Sequence, residues 1–213
     1  HEARSLQRQV FVGNRIKTMN ESIYYNVDKI HQAISRNRLI RFHYYEWTPR
    51  KEMHLRRNGE AYEISPWGLT WDDENYYMVG YDGEAGMIKH FRVDKMLDIE
   101  ITDQPRKGKE RFVKFDLASY AKKVFGMFSG EERTVRMICE NTFAGAMIDR
   151  FGREVMMHPV DAAHFVVSAA VNVSPQFFGW LVALGKGVVI EGPEDVKDEF
   201  TEWVRTVMQE YKG

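Results

Sequence analysis

From Arg36 to Arg57 the chain sets Arg36, Arg38, Arg41, Arg50, Lys51, Arg56 and Arg57 against only Glu46 and Glu52. Phe42, Tyr44, Tyr45 and Trp47 are interleaved among them. Guanidinium groups grip phosphate or carboxylate in a planar fork, and aromatic rings stack on bases. The chemistry on offer is therefore anion or nucleic-acid binding. Composition alone favours a second reading at this point: the same arginines keep a small barrel soluble. Further on, Lys89-His90-Phe91-Arg92 alternates, so that His90 and Arg92 share one strand face and Phe91 and Val93 the other.

Other chemistries find little support. Gly179 to Lys186 has a superficial likeness to a phosphate-binding loop, but its spacing is off by one residue and its centre is an apolar helix face. Cys139, His158 and His164 lack zinc-site spacing. There is no G-x-S-x-G elbow, and the carboxylates are scattered as on a solvated surface. No metal or cofactor is implied, and nothing points to an enzyme.

Composition sets broad bounds. The 213 residues suffice for one large domain or two small ones, and 44% hydrophobic content is ordinary for a globular protein. A net charge of −1 gives no whole-molecule pull toward nucleic acid or membrane, so local patches decide. The single cysteine, Cys139, rules out an intrachain disulfide and suits a reducing, cytoplasmic setting. No apolar run is long enough to span a bilayer, and no signal peptide is visible. Without a secretion signal, the sequons at Asn20 and Asn172 are taken as chance matches.

The elements that must position the basic residues follow from periodicity. Residues 1–19 read as a basic linker or arm. Ile23, Val27, Ile30 and Ile34 predict a helix, with Asn20 or Ser22 as its cap. Strands are expected over Leu39–Trp47, Ala61–Ser65, Glu74–Asp82 and Met87–Val93, with a fifth carrying Leu97, Ile99 and Ile101. Several short strands at close spacing suggest a small barrel. Gln104 to Lys109 reads as a boundary, and a cut near Lys107 is expected to leave two folded modules. The second half reads strand, helix, two strands, helix, strand and a terminal helix, an order that fits a ferredoxin-like module. The strand Glu74–Asp82 poses a problem: Tyr76 and Met78 claim one face, and Tyr77, Val79 and Tyr81 the other, so both faces want a partner. Alternation alone allows either face to be the inner one.

Taken together, these residues resemble the WYL domain family. Ile40-Arg41-Phe42-His43-Tyr44 is similar to its "I-x-F-x-Y" strand, and Ile64-Ser65-Pro66-Trp67-Gly68-Leu69 to its "V-x-P-x-x-L" segment. Phe91-Arg92-Val93-Asp94-Lys95-Met96 is similar to its "F-R-L-D-R-I" segment. The naming tripeptide falls on Tyr76-Tyr77-Met78, where only Tyr77 matches. The second half resembles the C-terminal extension attached to such domains. The resemblance implies an α+β chain: an Sm-like (SH3-like) barrel over 20–104, a connection over 105–132 and a ferredoxin-like extension over 133–213. It implies the ligand-sensing, dimerising part of a bacterial transcription regulator. A nucleotide, nucleic acid or other anion would be the effector, and a helix-turn-helix not visible here would read the DNA. The alternative is a module that binds single-stranded nucleic acid directly. The implied pocket centres on Arg92, with His90 as a pH-sensitive donor and Arg41, Arg56, Arg57 and Tyr77 completing it. Against this stands a structural ion pair of Arg92 with Asp94 or Asp98.

Overall fold

The computed structural model describes residues 21–72, 74–113, 116–128 and 130–212. The basic arm and the Asn20 cap lie outside the described residues. The chain builds two antiparallel sheets, each with its own apolar cluster.

Helix α1 (Glu21–Ser35) buries Ile30 and Ala33, with Val27 and Ile34 packed beside them. It lies on a curled six-stranded sheet of β1 (Arg38–Trp47), β2 (Met53–Leu55), β3 (Tyr62–Asp72), β4 (Asn75–Asp82), β5 (Met87–Arg92) and β6 (Met96–Pro105). The strand order is β2-β1-β3-β4-β5, and β6 pairs with β1. Ile40, Phe42, Tyr44, Tyr62, Ile64, Met78 and Phe91 form the core beneath α1.

The expected barrel does not close. Strand β1 is long enough to hold β3 and β6 along its first half and β2 at its end. Strand β6 therefore returns along β1, and β5 ends the sheet on the other side. The result is a half-barrel. Strand β3 also runs past the expected stop: a bulge at Pro66/Gly68 lets it continue to Asp72 opposite β4. A short strand, β2, forms inside what reads as a charged connection.

In the second half, β7 (Glu131–Glu140), α4 (Ala144–Phe151), β8 (Met156–Pro159), β9 (His164–Val173), α5 (Pro175–Leu184), β10 (Val188–Gly192) and α6 (Glu194–Gln209) follow in the expected order. Their sheet order is β10-β7-β9-β8, with every pair antiparallel. Ser174 caps α5 by accepting from the Phe177 N–H at 3.3 Å, and Gly185 ends it at φ +80°. Phe200 and Trp203 of α6 pack on this core, whereas Tyr211 is 86% exposed and lies beyond the helix.

Between the sheets lie α2 (Lys109–Phe112) and α3 (Leu117–Lys123). They resolve the problem posed by β4. Met78 is fully buried under α1, and Tyr76 packs at the edge of the same core. The opposite face of the sheet is covered by the connection. Phe112 stacks on Trp67 with centroids 4.8 Å apart, and Leu117 fills the space over Gly68. Tyr81 packs against Gly108, where a Cβ would lie 2.4 Å from its ring and φ is +80°. Tyr120 stacks on His90. Val79, cross-strand from His90, is fully buried as a result. The connection is thus the second wall of the first sheet. It also enters the other core: Phe125 packs against Phe151, Phe177 and Trp180. The Arg150 guanidinium lies 3.8 Å from the Phe125 ring centre and donates to the Val124 carbonyl at 2.8 Å.

Candidate anion site at the end of strand β5

The short turn Val93–Lys95 joins β5 to β6 and carries Asp94 and Lys95. It is pinned from below. Asn26, an amide on the apolar face of α1 and only 8% exposed, donates from Nδ2 to the carbonyls of Val93 (3.2 Å) and Met96 (2.9 Å). Lys29, one turn later, donates to the Ile99 carbonyl at 2.7 Å. A buried amide survives because both of its donors are satisfied.

Strand β1 supplies the opposite side. The buried Tyr44 hydroxyl accepts from the Arg92 backbone N–H at 3.2 Å. The neighbouring Tyr45 hydroxyl donates to the Asp94 carbonyl at 3.3 Å. Burial pushes both phenols above their ordinary pKa, so both stay neutral. The Arg92 guanidinium forks onto Asp94, Nε at 3.0 Å and Nη2 at 2.8 Å, and remains one-third exposed. The Asp94 hydrogen bonds raise its pKa. Arg56 lies 5.7 Å from the Tyr44 ring centre and is held there by Glu46 at 2.8 Å.

Lys95 is the odd charge. It has no hydrogen bond or ion pair among the described residues. Burial, and then the positive charge of Arg92, hold its pKa below the ordinary ammonium value, with Arg56 adding to the repulsion. Arg56 and Arg92 both act on the Tyr44 hydroxyl and both repel Lys95, while Asp94 and Glu46 attract it. Sequence reasoning stopped at Arg92 and missed Lys95, Tyr44 and Asn26. A signal existed for Lys95, the second basic position of the "F-R-V-D-K-M" segment.

The expected pocket residues divide three ways. Arg92 and Arg56 meet around Tyr44. Tyr77 lies directly across from Arg92 on β4, on the face opposite Met78. Arg41 does not join them: it is on the far face of β1 from Tyr44, cross-strand from Glu63 and Glu100. Arg57 lies over Tyr62 at 5.1 Å, held by Glu84 at 2.8 Å, and lines a mixed-charge depression with Arg41 and Lys107. His90 meets the connection through Tyr120. It is packed under α3, and burial pushes its pKa down to about 4, a hydrogen bond to the Met127 backbone offsetting only part of this. It is neutral at pH 7. The ion pair expected as the competing account of Arg92 is present, with Asp94 as its partner. Asp98 lies instead near His43, at 3.6 Å.

No metal-binding cluster of His, Cys, Asp or Glu occurs among the described residues. Cys139 is buried with its pKa raised to about 11, so its thiol is unreactive. Among the described residues no helix is long and apolar enough to cross a membrane.

A curled antiparallel sheet with a helix on its inner face and a basic site at its end defines the class of module. Residues 25–101 match the WYL domain family, so the chain carries a WYL domain over that span. No curated protein matches the chain. Several solved structures resemble it, among them the following two. One is proteasome accessory factor B/C (PafBC) of Arthrobacter aurescens, with 18% identity and a TM-score of 0.36 over 92% of this chain and 28% of that one. The other is a CRISPR Cas-related protein, with 15% identity and a TM-score of 0.49 over 89% of this chain and 53% of that one. The chain spans less than two thirds of the length of either.

Proposed function

We propose that this chain is the ligand-sensing part of a WYL-type transcription regulator, binding an anionic effector around Tyr44, Arg56, Arg92 and Lys95. In this reading the half-barrel is an Sm-like module and the second sheet a ferredoxin-like one. Its role is regulatory rather than catalytic, in the cytoplasm. A helix-turn-helix elsewhere reads DNA, and the regulator works as a homodimer on paired half-sites. The observation that carries the reading is Lys95, a part-buried ammonium with no ion pair among the described residues, which Arg92 and Arg56 repel and Asp94 and Glu46 only partly offset. A site with surplus positive charge and neutral phenols is prepared for phosphate. A nucleotide or nucleic acid is the effector class because buried and exposed rings lie alongside these cations on β1.

Titration calorimetry with nucleotides and with a short single-stranded oligonucleotide, across a range of salt, tests this. Saturable, salt-sensitive binding that Lys95→Gln weakens by about 1.5–3 kcal/mol, the range for hydrogen bonds to charged groups, supports it. Binding that ignores Lys95 removes the site.

A further inference from the structure

The hairpin between β1 and β2 carries a feature that the site around Tyr44 leaves unused. Trp47, the last residue of β1, is 52% exposed. The indole meets Tyr45 edge to face, with centroids 5.5 Å apart and planes at 86°. Tyr45 is itself buried and tied through its hydroxyl to Asp94. Trp47 therefore rests on a fixed base while much of its surface stays open. Its cross-strand partner Met53 is 59% exposed, on a strand with no neighbour beyond it among the described residues.

The turn at the tip is also fixed. The Thr48 N–H donates to the Glu52 carbonyl at 2.9 Å, and the Lys51 N–H to the Thr48 carbonyl at 2.9 Å. It presents Arg50 and Lys51, both exposed and without an ion pair among the described residues. A single exposed aromatic residue is ordinary on a protein surface. A rigid indole beside two unneutralised cations is a more specific arrangement. It offers a stacking plane and phosphate contacts together, the pairing that single-stranded nucleic acid requires.

We propose that the β1–β2 hairpin is a contact surface for single-stranded nucleic acid, with Trp47 stacking on a base and Arg50 and Lys51 holding the flanking phosphates. This rests on the reading of the Lys95 site as an anion site and extends it. Tyr45 links the hairpin to Asp94, the partner of Arg92. Tyr45, whose hydroxyl reaches Asp94, and Trp47 share one face of β1 two residues apart, about 7 Å, a span that a short run of nucleotides bridges and an inorganic anion does not. Duplex fits poorly, because its paired and stacked bases leave no free face for Trp47.

Fluorescence anisotropy with a labelled short oligothymidylate, and with its duplex with oligoadenylate, tests the proposal on the full chain. The single strand is expected to bind more tightly than the duplex. Trp47→Ala should weaken single-strand binding by about 5- to 150-fold, while Trp47→Phe stays within a few-fold of wild type. Replacing Arg50 and Lys51 with Ala should flatten the salt dependence. Circular dichroism should show the same fold in every variant. Unchanged single-strand binding by Trp47→Ala overturns the inference. So does loss of self-association in Trp47→Ala with oligonucleotide binding intact, which assigns the hairpin to a second copy of the chain. Binding of pyrophosphate or nucleotides at Lys95 without oligonucleotide binding overturns the hairpin proposal and leaves the anion site standing. Absence of binding by any of these anions overturns both.

Discussion

His90 Nε2 lies 3.0 Å from the Tyr120 hydroxyl, and the two rings stack with centroids 5.6 Å apart. His90 belongs to the first sheet and Tyr120 to the connection, so this pair fastens the connection over the outer face of β4 and β5. The imidazole is neutral, so either tautomer can share one hydrogen bond with the phenol. Tyr120→Phe keeps the stack and removes the hydroxyl. Chemical denaturation is expected to show a loss of about 0.5–1.5 kcal/mol, with binding at the Lys95 site unchanged. A loss within error would mean the stack alone fastens the connection.

The same burial gives stability a pH dependence. The His90 pKa is about 4 in the fold and 6.5 when unfolded. Between those values the unfolded chain binds more protons, so stability rises with pH through this window. It is fully present above about pH 6.5 and is lost as pH falls toward 4. The contribution is at most about 3 kcal/mol. His90→Gln should flatten the stability profile between these limits relative to wild type, as followed by urea unfolding at several pH values.

Each sheet has its own core, and the connection that follows Lys107 packs on the first sheet, so a cut there separates that sheet from its cover. A chain ending at Pro105 keeps β1 to β6 and loses Phe112, Leu117 and Tyr120. That uncovers Val79 and His90. Such a fragment is expected to melt well below one ending at Lys123, and to bind hydrophobic dye. Equal melting temperatures for the two would show that the connection contributes nothing to the first sheet.

Strand alternation carried most of the first sheet. It placed Phe42 and Tyr44 inward and His90 and Arg92 together, and it left the inner face of β4 open. It also correctly set Arg41 outside, but a strand's register cannot be read from its own residues. Glu63 and Glu100, from two other strands, flank Arg41, and neither position is encoded near it. The covering of β4 was illegible for a similar reason. Trp67, Phe112, Leu117 and Tyr120 follow no period, and they act only when the chain folds back. Barrel closure was over-read, because spacing counts strands without saying which edges β1 will share. Asn26 carries no signal within its own segment, and only the turn it pins explains it.

Asn26 gives a test of how the site is positioned. Asn26→Leu keeps the volume roughly and leaves the Val93 and Met96 carbonyls without their donor. Unsatisfied buried groups cost about 1–3 kcal/mol. Because the turn carries Asp94 and Lys95, anion binding should fall along with stability. Lower stability with normal binding would separate the turn's geometry from the site.

Arg92 and Lys95 should respond differently to substitution. Arg92→Ala leaves Asp94, only 13% exposed, without its fork. It is expected to weaken binding and lower the melting temperature together. Lys95→Gln removes a charge that its neighbours repel, so binding should fall while thermal stability holds or rises. Thermal melts read beside binding curves for the two variants check this. A Lys95 variant that melts far below wild type would give Lys95 a structural role.

The most direct measurement is the titration of the Lys95 ammonium itself, followed by NMR of labelled lysine in the free chain and with a saturating short single-stranded oligonucleotide or pyrophosphate. In the free chain the pKa should lie below the ordinary lysine value, because burial and Arg92 disfavour the charge. With the anion bound it should rise, since a phosphate beside Lys95 supplies the missing counter-charge. An ordinary pKa in the free chain, or a bound anion that leaves the Lys95 titration unmoved, would contradict an anion site built around this residue.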